Sequence, residues 1–143
     1  MTQIIPLDRY NWELCLDIKL KPEQESFLPP VLYSLAQAKF ENLTPYGILK
    51  NGKMVGFIMY GEFGDICWVN RILIDKDYQG MGIGSKALGT LLDKLRLNYH
   101  CREIRTTYSA DNAAASEFFG RMGFVEMGEP INNEIIAVFE SKR

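Results

Sequence analysis

DKDYQGMGIGS, residues Asp75–Ser85, joins a segment rich in β-formers, Cys67–Ile74, to a longer segment with apolar residues at helical spacing. Glycines let the backbone turn sharply and approach a ligand closely. Free N–H groups and the positive end of the helix dipole make the start of a helix an anion site, and phosphate is its natural occupant. The stretch therefore predicts a strand, a phosphate-binding loop and a helix, in that order.

Two common phosphate motifs fit this loop poorly. A P-loop that starts at Gly80 needs its second glycine where this chain has Ser85. The dinucleotide fingerprint GxGxxA is matched on paper from Gly82 to Ala87, but the predicted strand ends near Ile74, several residues too early. This partial match is the only support for the hypothesis that the protein is a nicotinamide-binding oxidoreductase.

Periodicity and turn signals predict the other elements. The predicted helices are Arg9–Leu20, Pro30–Phe40, Ile83–Tyr99 and Asn112–Met122. The predicted strands are Gln3–Pro6, Tyr46–Lys50, Met54–Tyr60, Cys67–Ile74, Glu103–Ser109, Phe124–Gly128 and Glu134–Phe139. Turns are predicted at Asn51-Gly52 and over Gly61–Asp65. Strands that meet in hairpins early and late, with helical crossovers between them, predict an α+β layered fold with a mixed sheet covered by helices.

Composition sets outer limits on function. With 143 residues and no linker, we expect one domain over residues 1–143. The net charge of −2 lacks the basic excess of a dedicated nucleic-acid binder. Three widely spaced cysteines and one histidine argue against a disulfide framework and a metal site. No apolar run is long enough to cross a membrane, and the start of the chain lacks signal-peptide features, so we expect a cytoplasmic protein.

A resemblance to one superfamily rests on two separated motifs. Gln79–Gly84 resembles the Q/R-x-x-G-x-G/A loop of the GNAT superfamily of acyl-CoA-dependent N-acetyltransferases. Asn112-x-x-Ala115 followed by Gly123-Phe124 resembles its second signature, and the resemblance covers residues 46–128 well. Three further strings are similar to bacterial diamine/spermidine N-acetyltransferases, namely Pro22–Phe27, Ser34–Ala38 and Val55–Tyr60.

The resemblance implies a fold, a cofactor and an activity. The GNAT fold is a mixed, mostly antiparallel sheet of about six to seven strands flanked by about four helices, in which two parallel strands splay apart to hold the cofactor. Acetyl-CoA is then the co-substrate, and its thioester is attacked directly by a primary amine of a small molecule, with spermidine or spermine as the leading acceptor. Relatives are often homodimers through the C-terminal strands.

The resemblance also assigns the cofactor site. Backbone amides of the loop would bind the pyrophosphate, and its residues are Gln79, Gly80, Met81, Gly82, Ile83, Gly84 and Ser85. The pantetheine arm would follow the strand edge at Ile72, Leu73 and Ile74, where a backbone N–H would stabilise the oxyanion. Asn112 and Phe119 would lie beside the arm. Capping alone also predicts Asn112, and spacing alone places Phe119 in the core.

The catalytic residues depart from the superfamily pattern. The position where relatives often carry a tyrosine general acid is Phe119, which cannot donate a proton. Tyr108 is the first replacement, although a β-forming aromatic is expected there in any case. Asn70 stands where relatives often have a carboxylate, and Glu62 and Asp65 are candidates for a proton relay through water. These departures leave open an acetyl-CoA-binding module with weak or lost catalysis, acting as a sensor or regulator.

The acceptor is the least determined part of the prediction. The sequence does not separate a polyamine from an aminoglycoside, an amino acid or a protein N-terminus. A thiol with a pKa of about 8.5 leaves tolerably as a thiolate, so the loss of a general acid lowers the rate without excluding catalysis.

Overall fold

The computed structural model of the protein describes residues 1–140. Its strands are β1 (Thr2–Pro6), β2 (Thr44–Lys50), β3 (Lys53–Phe63), β4 (Ile66–Ile74), β5 (Glu103–Ser109), β6 (Phe124–Ile131) and β7 (Glu134–Phe139). They form one sheet in the order β1-β2-β3-β4-β5-β7-β6. Every neighbouring pair is antiparallel except β4 and β5, which are parallel. The mixed, mostly antiparallel sheet predicted from the sequence is confirmed.

The helices lie close to their predicted bounds, with one difference. They are α1 (Val31–Phe40), α2 (Ile83–Arg96) and α3 (Ala113–Arg121). The fourth predicted helical segment, Arg9–Leu20, contains only a 3₁₀ turn at Trp12–Asp17. The side chains of Asp8 and Asn11 accept hydrogen bonds from the backbone N–H groups of Tyr10 and Asp8, and such local bonds compete with an α-helical start.

Two strands, β3 and β6, extend beyond the ends predicted from the sequence. β3 continues to Phe63 and leaves only a short turn before β4, so the predicted turn over Gly61–Asp65 was too wide. β6 extends to Ile131. Short 3₁₀ turns at Pro22–Gln24 and Lys76–Tyr78 occupy the loops before α1 and α2. Among the described residues, no helix is long and apolar enough to cross a membrane.

Helices cover both faces of the sheet. The apolar stripe of α2 is buried on one face, with its members Ile83, Ala87, Leu88, Leu91, Leu92 and Leu95. On the other face, Val31 and Ala38 of α1 pack with Phe57, Met59 and Leu73 of the sheet. Burial of each large apolar side chain contributes about 1.5–3 kcal/mol, so these two layers hold the sheet between them.

The parallel strands β4 and β5 separate part of the way along. Their pairing runs from Ile66 opposite Glu103 to Val69 opposite Thr106, and there it ends. At the same point β4 carries a bulge, because Tyr60 pairs with Val69 and Met59 with Arg71, which leaves Asn70 without an opposite residue. A bulge bends its strand and increases the local twist. The rest of β4 therefore has an unpaired edge that faces an opening in the sheet.

Candidate active site

A cavity of about 620 Å³ lies where β4 and β5 separate. Both strands, α3 and the segment before α1 contribute to its walls; the lining residues used below are Gln24, Asn70, Arg71, Ile72, Leu73, Ile74, Gln79, Tyr108, Asp111, Asn112, Phe118, Phe119 and Glu134. A second cavity of about 340 Å³ lies along the glycine-rich loop and shares Ile74, Gln79, Gly84 and Phe118 with the first. The two cavities are therefore adjacent, one along the loop and the other at the separated strands.

The loop itself has the geometry of an anion site. Gly80 and Gly82 have backbone φ values of +76° and +77°, which residues other than glycine rarely adopt. Gly82 is the N-cap of α2 and provides no side chain to satisfy the first N–H groups of that helix. The amides of Ile83, Gly84 and Ser85 are therefore available to a ligand at the positive end of the helix dipole.

Not every predicted loop residue faces these cavities. Gly80, Gly82, Ile83, Gly84 and Ser85 line the smaller one. Met81 is 61% exposed and lines neither cavity, so its side chain points away from both.

Gln79 ties the loop to two other parts of the chain. Its Nε2 donates to the carbonyl oxygen of Ile74 at 2.8 Å and to Oε1 of Gln24 at 2.8 Å. Gln24 returns the bond through its own Nε2 at 3.0 Å. Gln24 lies in the Pro22–Phe27 string, but the sequence did not predict its pairing with Gln79, because the two residues are 55 positions apart.

The strand segment predicted to carry the pantetheine arm lines the larger cavity. Ile72 and Ile74 are partly exposed, whereas Leu73 is buried against the α1 layer. Because pairing with β5 has ended at Val69, backbone groups on this edge of β4 have no strand partner. Such groups need hydrogen-bond partners, and a ligand in the opening can provide them.

Asn112 and Phe119 both have structural roles as well as places in the cavity wall. Asn112 Oδ1 accepts a hydrogen bond from the backbone N–H of Ala115 at 3.1 Å, so Asn112 caps α3, and its Nδ2 has no hydrogen-bond partner within residues 1–140. Phe119 is buried and packs edge-to-face against Phe124. The capping and core interpretations hold, and they leave the assigned cofactor contacts as predictions.

Tyr108 is held in place by a carboxylate. Its hydroxyl donates to Oε2 of Glu126 at 2.7 Å, and Ser116 Oγ donates to the same oxygen at 3.0 Å. Burial, and then the hydrogen bond to Glu126, raise the pKa of Tyr108 to about 12. The phenol therefore keeps its proton at neutral pH, with the hydroxyl directed at Glu126.

The other proposed proton-transfer residues do not meet. Asn70 lines the cavity, and its buried Oδ1 has no hydrogen-bond partner among the described residues. Glu62 is exposed and accepts a weak hydrogen bond from Asn98, and Asp65 forms an exposed ion pair with Arg102 at 3.7 Å. Both lie beside the β3–β4 turn, and β4 leads away from that turn to the opening. The structure therefore does not bring Glu62 and Asp65 to the cavity.

Three charged residues that line the cavity were not predicted from the sequence. Arg71 lies on the β4 wall and donates from Nη1 to Ser34 Oγ at 2.8 Å and to Gln37 Oε1 at 3.0 Å. Asp111 and Glu134 line the opposite wall, at the end of β5 and the start of β7. No sequence signal marks this set, because the fold alone brings its members together.

A family profile matches most of the chain. The profile is described as the Acetyltransferase (GNAT) family, and it matches residues 10–124. The chain is 33% identical over 140 residues to the spermine/spermidine N(1)-acetyltransferase of Bacillus subtilis strain 168. That match covers 91% of this chain and 92% of the relative.

Solved structures share the fold. The GNAT domain of PAT from S. lividans superposes with a TM-score of 0.80 at 14% identity, over 96% of this chain and 89% of that domain. A GNAT family acetyltransferase from Elizabethkingia anophelis, solved with acetyl-CoA bound, has a TM-score of 0.73 at 15% identity over 98% of both chains. At these identities the likeness concerns the fold.

Proposed function

The chain belongs to the GNAT acetyltransferase family, and from this premise we propose that it transfers the acetyl group of acetyl-CoA to a primary amine of a polyamine, with spermidine or spermine as acceptor. The observation that carries the proposal is the pair of adjacent cavities, one along the glycine loop and one at the separated strands. An anion site at one end and a cavity at the other fit a long cofactor with a phosphate end and a reactive end. A cytoplasmic location stays a prediction of this proposal.

The residues present fit acetyl-CoA in three places. The backbone amides of Gly80–Ser85 would hold the pyrophosphate, and Arg121, which is ion-paired with Glu117, lies beside the smaller cavity. The β4 edge at Ile72–Ile74 would pair with the amide groups of the pantetheine arm. Asn112 has a side-chain amide that can donate to the same arm.

The reaction needs a neutral amine and an acceptable leaving group. The acceptor ammonium loses a proton to water, and its nitrogen then attacks the thioester carbonyl. The new C–N bond forms, the C–S bond breaks, coenzyme A leaves as a thiolate, and the attacking nitrogen loses its second proton to water. An N–H on the β4 edge would stabilise the oxyanion, which typically contributes 10²–10³-fold, about 2.7–4 kcal/mol. Because Phe119 offers no proton, the thiolate leaves without an acid from that position.

Charge in the cavity supports a polyamine. Asp111 and Glu134 line the wall formed by β5 and β7, where a second ammonium group of the acceptor could lie. The relative from Bacillus subtilis is named for spermine and spermidine. A polyamine carries several ammonium groups, so one can react while another is held by a carboxylate.

The experiment is thiol release from acetyl-CoA with a panel of acceptors. The panel contains spermidine, spermine, putrescine, an aminoglycoside, an amino acid and a peptide with a free N-terminus. Release that depends on polyamines, and only weakly on the others, supports the proposal. Release with another amine class contradicts the polyamine assignment. Binding of acetyl-CoA without release would instead support the binding-module alternative, which Phe119 keeps in play.

Two glycine variants make a matched control for cofactor use. Gly82→Ala places a side chain at a φ of +77°, which costs about 1–2 kcal/mol and disturbs the first turn of α2. Gly89→Ala lies within the same helix, and a Cβ there contacts nothing within 4 Å. We expect Gly82→Ala to weaken acetyl-CoA binding, measured by calorimetry, while Gly89→Ala binds it as the wild type does. Equal binding by both variants would contradict the role of the loop.

A further inference from the structure

Arg71 is a half-buried cation with unused hydrogen-bond donors. Its Nη1 is held by Ser34 and Gln37 of α1, and Ser34 is completely buried. Within residues 1–140, no carboxylate lies within ion-pair distance of its guanidinium, and Nε and Nη2 have no hydrogen-bond partner. These two nitrogens are not among the buried unsatisfied atoms, so they remain accessible beside the cavity that Arg71 lines.

Arg71 lies on β4 close to the point where the pairing of β4 with β5 ends. It follows the bulge residue Asn70, two positions beyond the last residue that pairs with β5. The unpaired edge of β4, which the proposed function assigns to the oxyanion, begins at this point, and Arg71 lines the cavity beside it. On this wall the described residues offer no carboxylate that could take a proton from the acceptor.

The titratable groups around Arg71 leave its charge intact. On the α1 side these are Tyr33 and Glu41, which partly offset the lowering of the Arg71 pKa by burial. Across the cavity are Tyr108, Asp111 and Glu134, and the β3 residue opposite Arg71 is Met59. A guanidinium stays protonated at every pH used for such enzymes. The β4 wall is therefore permanently positive, and the wall opposite carries carboxylates.

We infer that Arg71 lowers the pKa of the acceptor amine at the reacting end of the cavity, so that the amine reacts in its neutral form without a dedicated general base. The inference rests on the proposed function. A like charge nearby disfavours the protonated form of an amine, and a neighbouring cation is one known way to activate an amine nucleophile. The released proton goes to water, and the nitrogen lone pair becomes free to attack the thioester.

The same charge arrangement orients a polyamine. An ammonium group is favoured beside Asp111 and Glu134 and disfavoured beside Arg71. The acceptor therefore enters with a protonated nitrogen against the acidic wall and a nitrogen that deprotonates easily against β4. A monoamine lacks the second charge, so it gains nothing from the acidic wall to offset repulsion by Arg71.

The test is the pH dependence of kcat for spermidine at saturating acetyl-CoA. This profile reports groups in the enzyme–substrate complex, and the bound amine is one of them. In Arg71→Met we expect the apparent pKa of the rising limb to increase by about one unit. At neutral pH, kcat then falls by about tenfold, whereas the alkaline plateau stays near that of the wild type. Arg71→Lys keeps the charge and should keep the wild-type profile.

The controls separate charge from structure. Arg96→Met removes an exposed cation at the end of α2, outside both cavities, and should leave the profile unchanged. If Arg71→Met does not fold, Arg71→Gln is measured instead, because its amide can keep a hydrogen bond to Ser34. An unshifted apparent pKa in the neutral variant overturns the inference, as does an equal loss of kcat at every pH.

The inference and the proposed function can fail separately. Wild-type turnover of spermidine with an unshifted profile in the variant refutes only the role of Arg71. If another amine of the panel reacts and spermidine does not, the polyamine assignment fails and the same profile is taken with that amine. If an amine that carries a carboxylate is preferred and Arg71→Met chiefly raises its KM, Arg71 binds an anion and the inference is overturned. No release with any amine refutes both.

Discussion

Tyr108 and Phe119 lie parallel in the cavity wall, with their ring centroids 5.8 Å apart. Only Tyr108 has a proton to give, and that proton is donated to Glu126. The cavity wall therefore holds an apolar ring and, parallel to it, a phenol whose hydroxyl is bonded to a carboxylate. Substitutions of Tyr108 and of Glu126 test whether that phenol takes part in the reaction.

For Tyr108→Phe we expect turnover to fall by about 10²-fold, with acetyl-CoA binding retained, because the ring stays and only the proton donor is lost. The hydrogen bond to Glu126 helps to raise the pKa of Tyr108 to about 12, so Glu126→Gln should lower that pKa. A phenol acts as an acid only while it is protonated, so the alkaline loss of activity should move to lower pH in Glu126→Gln. Wild-type turnover in Tyr108→Phe would remove Tyr108 from the mechanism.

At the level of elements, the N-terminal segment is fastened to the loop before α2. Lys19 N donates to Asp75 Oδ1 at 2.9 Å, and Lys76 N donates to the Lys19 carbonyl oxygen at 2.7 Å. The reciprocal Gln24–Gln79 amide pair adds a third connection. Because residues of this segment also line the larger cavity, these connections join that part of the cavity wall to the glycine-rich loop.

Removal of one of these connections should therefore weaken cofactor binding at the loop. We expect Gln24→Ala to weaken acetyl-CoA binding by about 1 kcal/mol, roughly fivefold, because Gln79 loses the partner that holds it. Calorimetric titration measures this loss. Asn11→Ala is the matched control, since Asn11 makes comparable bonds within the same segment without contact to the loop. Equal acetyl-CoA affinities in the wild type and Gln24→Ala would contradict the connection.

At the level of the whole molecule, one edge of the sheet is open. β6 is the last strand in the order, and beyond Phe124 all its residues are exposed, including Val125, Met127 and Ile131. An exposed edge strand with apolar side chains is a ready surface for pairing with another chain. The homodimer through C-terminal strands that the resemblance implies stays a prediction, and this edge is the surface it would use.

Light scattering on the purified protein tests that prediction. We expect the mass of a dimer for the wild type and a shift towards the monomer for Val125→Lys, because a charge on the edge opposes pairing. Leu97→Lys changes an equally apolar residue at the end of α2, which is 87% exposed and far from β6 in the chain, and should leave the mass unchanged. A monomeric wild type at all concentrations would contradict the dimer.

Local signals were sufficient for most of the fold. The Asn51-Gly52 turn, the stripe of α2 and the loop Gln79–Gly84 each depend on residues close together in the chain. Periodicity and turn chemistry report directly on such neighbours. The segment Arg9–Leu20 was mispredicted as a helix, because side-chain bonds in the Asp8–Asn11 turn outweighed its spacing.

The site divides in the same way. The phosphate loop and the superfamily could be read from contiguous motifs, since a helix start and its glycines form an anion site by themselves. The polar contacts of the cavity could not be predicted: Arg71 meets Ser34 across 37 residues, and Gln24 meets Gln79 across 55. Glu62 and Asp65, adjacent in sequence to the right strand, lie by the turn from which β4 leads to the cavity. Chain neighbours determine local conformation, but only the paired and packed sheet determines which side chains share a cavity, because strand direction and the point where β4 and β5 part set their positions.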